Sequence, residues 1–350
     1  SAPDTRASRR RDLALPAAIG AATLALVALG RAAGLGSLTA RGVAFAAALL
    51  ACAVVHSRPV RFGLAVGAVL MAGTLASGAD RDTLYAERTF FGVLRVDRDD
   101  SRHLHRLIHG NTMHGAQSLE PARRLEPLTY YDRSGPVGDV FRDLPVGASA
   151  REVGVIGLGT GTLACYGRTG QHWTFYEIDP AVEEIARDPR LFTYLRDCPP
   201  TSDVRLGDGR VSIAGEPEGR FDMIIVDAFN SDAIPVHLLT RQALALYVDK
   251  LADGGVIAMH VTNRYLDLRP VIGALARDAG LTGVVRDDLR TTDEDTARAK
   301  AGSMWVALAR RPVDLGPLAD DPRWKPLPVR PGARVWTDDF SNLLDTLQRG

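Results

Sequence analysis

A glycine-rich turn stands between two apolar segments in residues 153–180, which read VGVIGLGTGTLACYGRTGQHWTFYEIDP. The segments at residues 153–156 and 174–178 are short and rich in β-branched and aromatic side chains, which predicts buried strands. Gly157, Gly159 and Gly161 follow the first strand directly and precede a predicted helix. Because glycine permits positive φ and close backbone approach, this order is typical of a nucleotide-binding turn in an α/β sheet.

The alternation of strands and helices continues to the C-terminal end of the chain. Asp179 and Pro180 predict a helix start, with Asp179 as the N-cap and proline at the first helical position. Further strands are predicted at residues 203–206, 223–226, 256–261 and 304–309, and further helices at residues 240–251 and 268–279. This alternation predicts an α/β fold with a mostly parallel sheet.

Residues 88–118 show a different pattern, in which apolar and polar side chains alternate and β-formers are frequent. A polar turn near residues 97–102 separates two such stretches, and Gly110 with Asn111 is a further turn signal. The sequence therefore predicts a β-hairpin between the N-terminal region and the α/β domain.

Three apolar segments come before the hairpin. Residues 13–30 and 62–79 each hold 18 residues without a charged side chain, and residues 42–55 hold 14. A membrane-spanning helix needs about 20 apolar residues, with a lower limit near about 17. The outer segments meet that limit, whereas the middle one needs part of residues 32–40. A secretory signal has a single apolar segment, so we expect two or three transmembrane helices.

Acidic residues follow the predicted strands at the edge where ligands bind in α/β sheets. Glu177 lies 20 residues after Gly157, where an acid accepts hydrogen bonds from ribose hydroxyls. Asp208, followed by Gly209, ends the third strand and can accept a hydrogen bond from an adenine amino group. A pyrophosphate would prefer positive charge and a helix N-terminus. The acids therefore favour an S-adenosyl compound, whose sulfonium is positive, over a dinucleotide.

Two more acids lie in residues 221–235, FDMIIVDAFNSDAIP. Asp227 ends the predicted fourth strand, and Asp232 follows in the loop. A carboxylate beside an amine can orient it, remove its proton and stabilise its cation. Asp227 could instead cap a helix or orient a ribose, and Asp232 could be a solvated loop residue.

In this order the motifs GLGTG, YEID, GDG, FDMIIVDAF and LADGGVIAMH resemble those of the spermidine synthase family, the polyamine aminopropyltransferases. The resemblance covers about residues 89–280, and the apolar N-terminal region makes the chain similar to bacterial membrane-fused spermidine synthase-like proteins. It implies three regions: transmembrane helices in residues 1–80, a β-hairpin domain in residues 81–145, and a Rossmann-like methyltransferase-type domain in residues 146–350.

The resemblance also implies an activity, the transfer of an aminopropyl group from decarboxylated S-adenosylmethionine to an amine such as a polyamine. It implies a homodimer at the bacterial inner membrane, with the catalytic domain in the cytoplasm and no metal cofactor. The implied cosubstrate-binding residues are Gly157, Gly159, Thr160, Gly161, Glu177, Asp208 and Gly209. The implied catalytic residues are Asp227 and Asp232, and the implied substrate-binding residues are Gln117, Tyr130 and Tyr131.

Thr160 departs from the family pattern, because the family's turn usually reads GGGDG and its Asp binds the amine of the decarboxylated cosubstrate. An uncharged Thr160 removes this attraction and also removes the repulsion of a carboxylate. The sequence therefore leaves two alternatives open: a methyltransferase or other transferase that uses ordinary S-adenosylmethionine, and a catalytically idle sensor domain. Asp227 and Asp232 are also five residues apart, whereas the family's acids are three apart.

Composition excludes few other functions. The formal net charge is zero, with 42 basic and 42 acidic residues, so nucleic-acid binding is not expected. Cys52, Cys165 and Cys198 are widely spaced and form no CxxC pair, so three separate thiols are expected. Four histidines in the hairpin region lack a Cys or acid that would complete a metal set, so we expect them on a strand surface. They are His103, His105, His109 and His114.

Overall fold

The structure is a computed structural model that describes residues 6–33, 37–78, 82–229, 235–330 and 332–347. The chain divides into two compact units, Ser1–Asp82 and Thr83–Gly350. The three-region division expected from the sequence stays a prediction.

The N-terminal unit consists of helices α1 (Arg6–Ala32), α2 (Ser37–Val54) and α3 (Pro59–Gly78). Small side chains lie between the helices: Ala44 and Ala65 are fully buried, and a Cβ on Gly20 would lie 3.1 Å from the Cβ of Ala68. Large apolar side chains point outward, among them Leu13, Leu49, Leu50, Val54, Leu70 and Met71.

Among the described residues, one stretch is long and apolar enough to cross a membrane by length and composition. It is Asp12–Gly30, with 19 residues, inside α1. The apolar stretches of the other two helices, Gly42–Val54 and Pro59–Leu75, are shorter. A helix of this kind near the N-terminus is also found in signal sequences, so the expectation of two or three spans stays a prediction.

The second unit begins with a four-stranded antiparallel sheet in the order β1-β2-β3-β4. Its strands are β1 (Asp82–Thr89), β2 (Gly92–Asp99), β3 (Leu104–His109) and β4 (Thr112–Ser118). The turn predicted at Gly110 and Asn111 joins β3 to β4. The prediction of a single hairpin is incomplete, because a second tight reversal at Phe90 and Phe91 joins β1 to β2. Gly92, with φ of 142°, allows that reversal.

The main sheet has eight strands in the order β12-β10-β11-β9-β8-β5-β6-β7. Its strands are β5 (Glu152–Ile156), β6 (His172–Glu177), β7 (Thr201–Leu206), β8 (Phe221–Val226), β9 (Leu251–His260), β10 (Thr282–Asp288), β11 (Ser303–Ala309) and β12 (Trp324–Pro326). Its helices are α4 (Pro136–Asp143), α5 (Pro145–Ser149), α6 (Pro180–Arg187), α7 (Tyr194–Asp197), α8 (Gly209–Ala214), α9 (Arg241–Lys250), α10 (Arg269–Asp278) and α11 (Asp293–Ala297).

The α/β class is confirmed, but the sheet is mixed rather than mostly parallel. β7, β6, β5, β8 and β9 run parallel, whereas β11, β10 and β12 add antiparallel strands at one edge. Neighbouring side chains of β6 pack on opposite faces of the sheet, with Trp173 and Phe175 in one core and Tyr176 in the other. Both faces are therefore covered, which is typical of an α/β sheet.

Near the glycine turn, the structure specifies the type of the predicted helix and contradicts the prediction of three separate thiols. The turn leads into a short 3-10 helix, Thr162–Tyr166, rather than an α-helix, because Gly161 is left-handed and Gly167 already ends the helix. Cys165 in this helix is joined to Cys198 in a disulfide, with Cα atoms 4.9 Å apart, although the sequence predicted separate thiols. The two residues are 33 positions apart, and α7 brings them together.

Candidate active site

A cavity of about 250 Å³ lies at the carboxyl ends of β5, β6 and β8 and is covered by the antiparallel sheet. This first cavity is lined by Phe91, Leu94, Leu107, His109, His114, Tyr131, Ile156, Gly157, Leu158, Gly159, Tyr176, Glu177, Ile178, Asp179, Val182, Asp208, Gly209, Asp227, Ala228, Phe229, Pro235, His237 and Leu238. Five of the predicted cosubstrate-binding residues are among them, together with Asp227.

The glycine turn forms the floor of the first cavity. Gly157 and Gly159 line it and have φ values of 104° and 55°, which favour glycine. A Cβ on Gly157 would collide with the backbone carbonyl of Asp227. The close approach of these two backbones therefore holds the ends of β5 and β8 side by side.

Two other predicted residues of the turn face away from the first cavity. The Thr160 side chain is buried, and its hydroxyl lies 2.6 Å from the hydroxyl of Thr162 and beneath Gly115 of β4. A Cβ on Gly161 would lie 2.8 Å from the Cγ of Leu195. Thr160 and Gly161 therefore support the turn from below, and the Thr160 hydroxyl is already hydrogen-bonded.

Glu177 lies at the end of β6, and both of its oxygens accept backbone hydrogen bonds. Oε2 accepts from the N–H of Leu158 at 3.1 Å, and Oε1 accepts from the N–H of Asp179 at 2.9 Å. Burial raises the pKa of the Glu177 carboxyl to about 6, although the backbone hydrogen bonds oppose the shift. The carboxylate is thus fixed in the cavity wall and ionised at neutral pH, with further lone pairs for hydroxyl donors.

Asp208 is the N-cap of α8, where its Oδ1 accepts from the N–H of Val211 at 3.0 Å. Its Oδ2 lies 2.9 Å from Nε2 of His237, a residue to which the sequence analysis gave no role. The next residue, Gly209, packs closely against Ile156 of β5. A Cβ at position 209 would lie 2.5 Å from Cγ2 of Ile156. Asp208 is therefore held by hydrogen bonds beyond the carboxyl end of β7, in the wall of the first cavity.

Asp227 is hydrogen-bonded to three different segments of the site. It follows β8, and its backbone N–H donates to the carbonyl of Ile156 at 2.9 Å. The Tyr131 hydroxyl donates to its Oδ2 at 2.8 Å, and Nδ1 of His260 lies 2.7 Å from its Oδ1. Burial, followed by the charge of Asp227, raises the pKa of Tyr131 well above its ordinary range, so Tyr131 remains a hydrogen-bond donor at neutral pH.

A second cavity, of about 370 Å³, lies against the first and shares His114, Tyr131 and Phe229 with it. It is lined by Asn111, Thr112, Met113, His114, Tyr130, Tyr131, Phe229, His260, Thr262, Asn263 and Arg264. Tyr130 and Tyr131 thus line one cavity, and Tyr131 contacts Asp227, while their binding of a substrate stays a prediction. Their segment is anchored by the backbone N–H of Thr129, which donates to the carbonyl of Ala299 at 2.9 Å.

One predicted substrate-binding residue among those that the structure describes, Gln117, is not brought to these cavities. The Gln117 amide is buried and used for structure: it donates to the hydroxyl of Thr193 at 2.9 Å and to the carbonyl of Arg124 at 3.0 Å. Gln117 does not line either cavity, so its side chain holds β4 to the segment before α7. Asp232 lies outside the described residues.

The histidines show what the sequence analysis missed. His105 and His109 were expected on a strand surface but are buried, with ring nitrogens bonded to the carbonyls of Leu191 and Phe91. No group of metal-ligating residues occurs in the part of the chain that the structure describes. His260 was given no role, although a polar residue that ends an apolar strand at the ligand-binding edge is a recognisable signal.

The charges around the first cavity suit a nucleoside that carries a cation. Glu177, Asp179, Asp208 and Asp227 line it, whereas no Lys or Arg does so among its described lining residues. The short 3-10 helix after the glycine turn also lacks the aligned N-terminal dipole on which a pyrophosphate would rest. The site can therefore hold an adenosine with a positive sulfonium and can present a carboxylate to a second ligand.

Sequence comparison confirms the resemblance that the motifs indicated. The chain is 37% identical over 112 residues to a polyamine aminopropyltransferase from Vibrio vulnificus. The match covers 29% of this chain and 35% of that protein, so it spans about a third of the relative's length. No protein-family model matches the chain.

Solved structures of similar proteins include two spermidine synthases. A probable spermidine synthase from Corynebacterium glutamicum has a TM-score of 0.49 and 16% identity, over 65% of this chain and 80% of the other. The spermidine synthase from Thermotoga maritima has a TM-score of 0.47 and 16% identity, over 71% of this chain and 80% of the other.

Proposed function

We propose that the Thr83–Gly350 unit is an aminopropyltransferase that uses decarboxylated S-adenosylmethionine and an amine acceptor. The observation that carries the proposal is the position of Asp227, which lines the first cavity and is hydrogen-bonded to Tyr131 and His260, two residues that line the second. One cavity presents Glu177 and Asp208 to a nucleoside, and the other presents Tyr130 and Tyr131 to an acceptor. The sequence similarity to a polyamine aminopropyltransferase supports the same reaction.

The proposed reaction is a single displacement. The nitrogen lone pair of the neutral acceptor amine attacks the aminopropyl carbon next to the sulfonium, and the carbon–sulfur bond breaks. The sulfur keeps the bonding electrons and leaves as the thioether methylthioadenosine. The acceptor nitrogen becomes positive and passes one proton to the Asp227 carboxylate, which acts as general base.

The remaining site residues bind and orient. Glu177 accepts hydrogen bonds from the ribose hydroxyls, and Asp208 accepts from the adenine amino group. Gly157 and Gly159 allow the nucleoside to lie close to the backbone. The carboxylates of Glu177, Asp179 and Asp208 in the first cavity stabilise the sulfonium before the transfer. Asp232 remains part of the proposal as a second acid near the acceptor, on the sequence motif alone.

The experiment that tests this function is a turnover assay with each cosubstrate and a panel of amines that contains diamines and monoamines. We expect methylthioadenosine and an aminopropylated amine from decarboxylated S-adenosylmethionine. Methylated acceptor and S-adenosylhomocysteine from ordinary S-adenosylmethionine would instead establish the methyltransferase alternative. A folded protein that binds a nucleoside and turns over neither compound would be the idle sensor.

Glu177 gives the nucleoside site a pH dependence. Its folded-state pKa, about 6, lies above the ordinary value of 4.5. The unliganded protein therefore gains stability from this group as the pH falls through about 6, and loses it as the pH rises. The ribose hydroxyls donate hydrogen bonds to the ionised carboxylate of Glu177. We therefore expect cosubstrate affinity, measured by calorimetry, to be about tenfold weaker at pH 5 than at pH 7.5.

Glu177→Gln is the matched control for this pH dependence. The amide does not titrate, so its affinity is expected to be weaker at pH 7.5 but nearly constant down to pH 5. The assignment fails if the affinities of the wild type and the variant change in parallel.

We further propose that the N-terminal helices anchor the enzyme in the bacterial inner membrane, with the catalytic unit in the cytoplasm as a homodimer. The outward position of large apolar side chains, with Ala and Gly between the helices, supports membrane insertion. Leu50 and Val54, for example, are 72% and 82% exposed.

A further inference from the structure

His260 is the last residue of β9 and contacts the proposed base directly. Its Nδ1 lies 2.7 Å from Oδ1 of Asp227, and the two side chains are only 4% and 6% exposed. This inference rests on the proposed function, in which Asp227 receives the acceptor proton. The function itself does not explain why an imidazole is buried against the base.

The surrounding donors decide which nitrogen of His260 carries the proton. The Thr262 hydroxyl oxygen accepts the backbone N–H of Met304 at 2.8 Å and lies 2.7 Å from Nε2 of His260. The Asp227 carboxylate can only accept, so Nδ1, which faces it, carries a hydrogen, and the Thr262 hydroxyl, which keeps its own proton, can donate that proton to Nε2. Nε2 is then an acceptor, and Nδ1 donates its hydrogen to Asp227. The ring is neutral in this arrangement.

Packing holds the ring in this orientation. The indole of Trp305 stacks on it, with centroids 4.7 Å apart and planes within 5°. Phe229 meets it edge-on at 4.8 Å, and Tyr130 approaches at 5.6 Å. A rotation of the imidazole would break the stack and both hydrogen bonds. The nitrogen that donates to Asp227 is therefore fixed.

We propose that His260 is a positioning residue that holds Asp227 as an oriented carboxylate through a neutral Nδ1–H donor. The Tyr131 hydroxyl donates to the other oxygen and is also neutral. A lysine or arginine at position 260 would hold the carboxylate too, but its charge would repel the sulfonium and the amine. Two neutral donors fix Asp227 and leave its negative charge available.

The arrangement has a consequence for pH. Protonation of His260 would place a cation on Asp227 and weaken it as a base. The other ionisable groups that face the ring are Asp227, Tyr130 and Tyr131, while His114 and Arg264 line the same cavity. These groups are the same in variants of His260, so a comparison of variants isolates the imidazole.

Two substitutions test the proposal at saturating cosubstrate, which removes the Glu177 effect on affinity. His260→Leu fills the space beside Trp305 but has no donor, so kcat is expected to fall about a hundredfold through misplacement of Asp227. His260→Gln restores an N–H donor that does not protonate. It is expected to recover kcat to within about tenfold of wild type and to keep activity at lower pH than wild type.

His56→Gln, an exposed histidine in the turn after α2, is the matched control and is expected to leave kcat and its pH profile unchanged. Calorimetry of nucleoside binding and a thermal unfolding curve are measured for each variant to check that it is folded. The proposal is overturned if His260→Leu retains wild-type kcat. It is equally overturned if His260→Gln loses as much as His260→Leu, because proton uptake by the imidazole would then be essential.

A second readout does not need turnover. In a ¹⁵N-histidine spectrum at pH 7.5, His260 is expected as the neutral Nδ1–H tautomer, identified by loss of its signals in His260→Gln. An Nε2–H tautomer or an imidazolium would contradict the proposal. This result is independent of the substrates, so failure of the proposed reaction and failure of the His260 assignment are distinguishable.

Discussion

Asp227→Asn is expected to lower kcat by about 10³-fold, the size of a lost general base, while cosubstrate affinity stays within about twofold. The amide keeps the shape of the side chain but removes the negative charge and the proton-accepting oxygen. The Tyr131 hydroxyl and the His260 N–H now converge on a group with one acceptor oxygen rather than two. The measurement is kcat for methylthioadenosine release, together with calorimetric binding of the cosubstrate.

Asp253→Asn is the matched control, because Asp253 is exposed, its side chain lies 3.6 Å from Arg311, and it lines neither cavity. It is expected to behave as wild type. Wild-type turnover by Asp227→Asn would refute the role of Asp227 as base. A large loss of cosubstrate affinity in a folded Asp227→Asn protein would instead assign Asp227 to the nucleoside.

Gly157→Ala is expected to abolish measurable nucleoside binding and turnover together. The residue has φ of 104°, and a Cβ there would collide with the backbone carbonyl of Asp227. Backbone is difficult to displace, so the ends of β5 and β8 have to separate. That separation would move the floor of the first cavity and Asp227 in the same step. Calorimetry with the cosubstrate measures the loss, which we expect to exceed about a hundredfold.

Gly170→Ala is the control that separates the effect of the steric collision in Gly157→Ala from the effect of backbone strain. Gly170 has φ of 89°, but no atom lies within 4 Å of its added Cβ. Both variants therefore carry the cost of a left-handed alanine, about 1–2 kcal/mol, and only Gly157→Ala also has the collision. Gly170→Ala is expected to unfold at a lower temperature yet bind normally. Equal nucleoside affinity in the two variants would show that the close contact at Gly157 is unimportant.

Much of the α/β unit could be predicted because its signals are local. Apolar runs identified β5, β6, β7, β8 and β11 to within two residues at each end, whereas β9 begins five residues before the predicted strand. Asp179 does cap α6, accepting from the N–H of Ala181. Glycine and acid spacing placed Gly157, Glu177 and Asp208 at one edge, because the carboxyl ends of parallel strands share that edge. These features depend on residues close together in the chain.

The parts that were missed depend on contacts between distant residues. β10 and β12 lack strong apolar runs of their own, and β10 is stabilised by pairing with β11 and β12. The Tyr131–Asp227 hydrogen bond joins residues 96 positions apart, and the His260–Asp227 contact joins residues 33 apart. No local pattern specifies such pairs. The buried hydrogen bond of the Gln117 amide is another example, since its partner Thr193 is 76 positions away.

The Thr160 side chain has different surroundings in the structure from those expected from the sequence. From the sequence, Thr160 is a missing charge that faces the cosubstrate tail. In the structure its hydroxyl is turned toward Thr162 and β4. An uncharged residue thus packs where the family's motif has an acid. Under the proposed function, selection between the two forms of the cosubstrate would depend on the remaining carboxylates of the first cavity.

The most direct test of the account follows a labelled aminopropyl group. The full chain is incubated with decarboxylated S-adenosylmethionine that carries ¹³C in its aminopropyl chain, with the amine panel, and with Asp227→Asn in parallel. Mass spectrometry follows the label. We expect the label to move to an amine and unlabelled methylthioadenosine to accumulate in equal amount, only with wild type. Label that stays on the nucleoside with every amine, in protein that binds the cosubstrate, would contradict aminopropyl transfer.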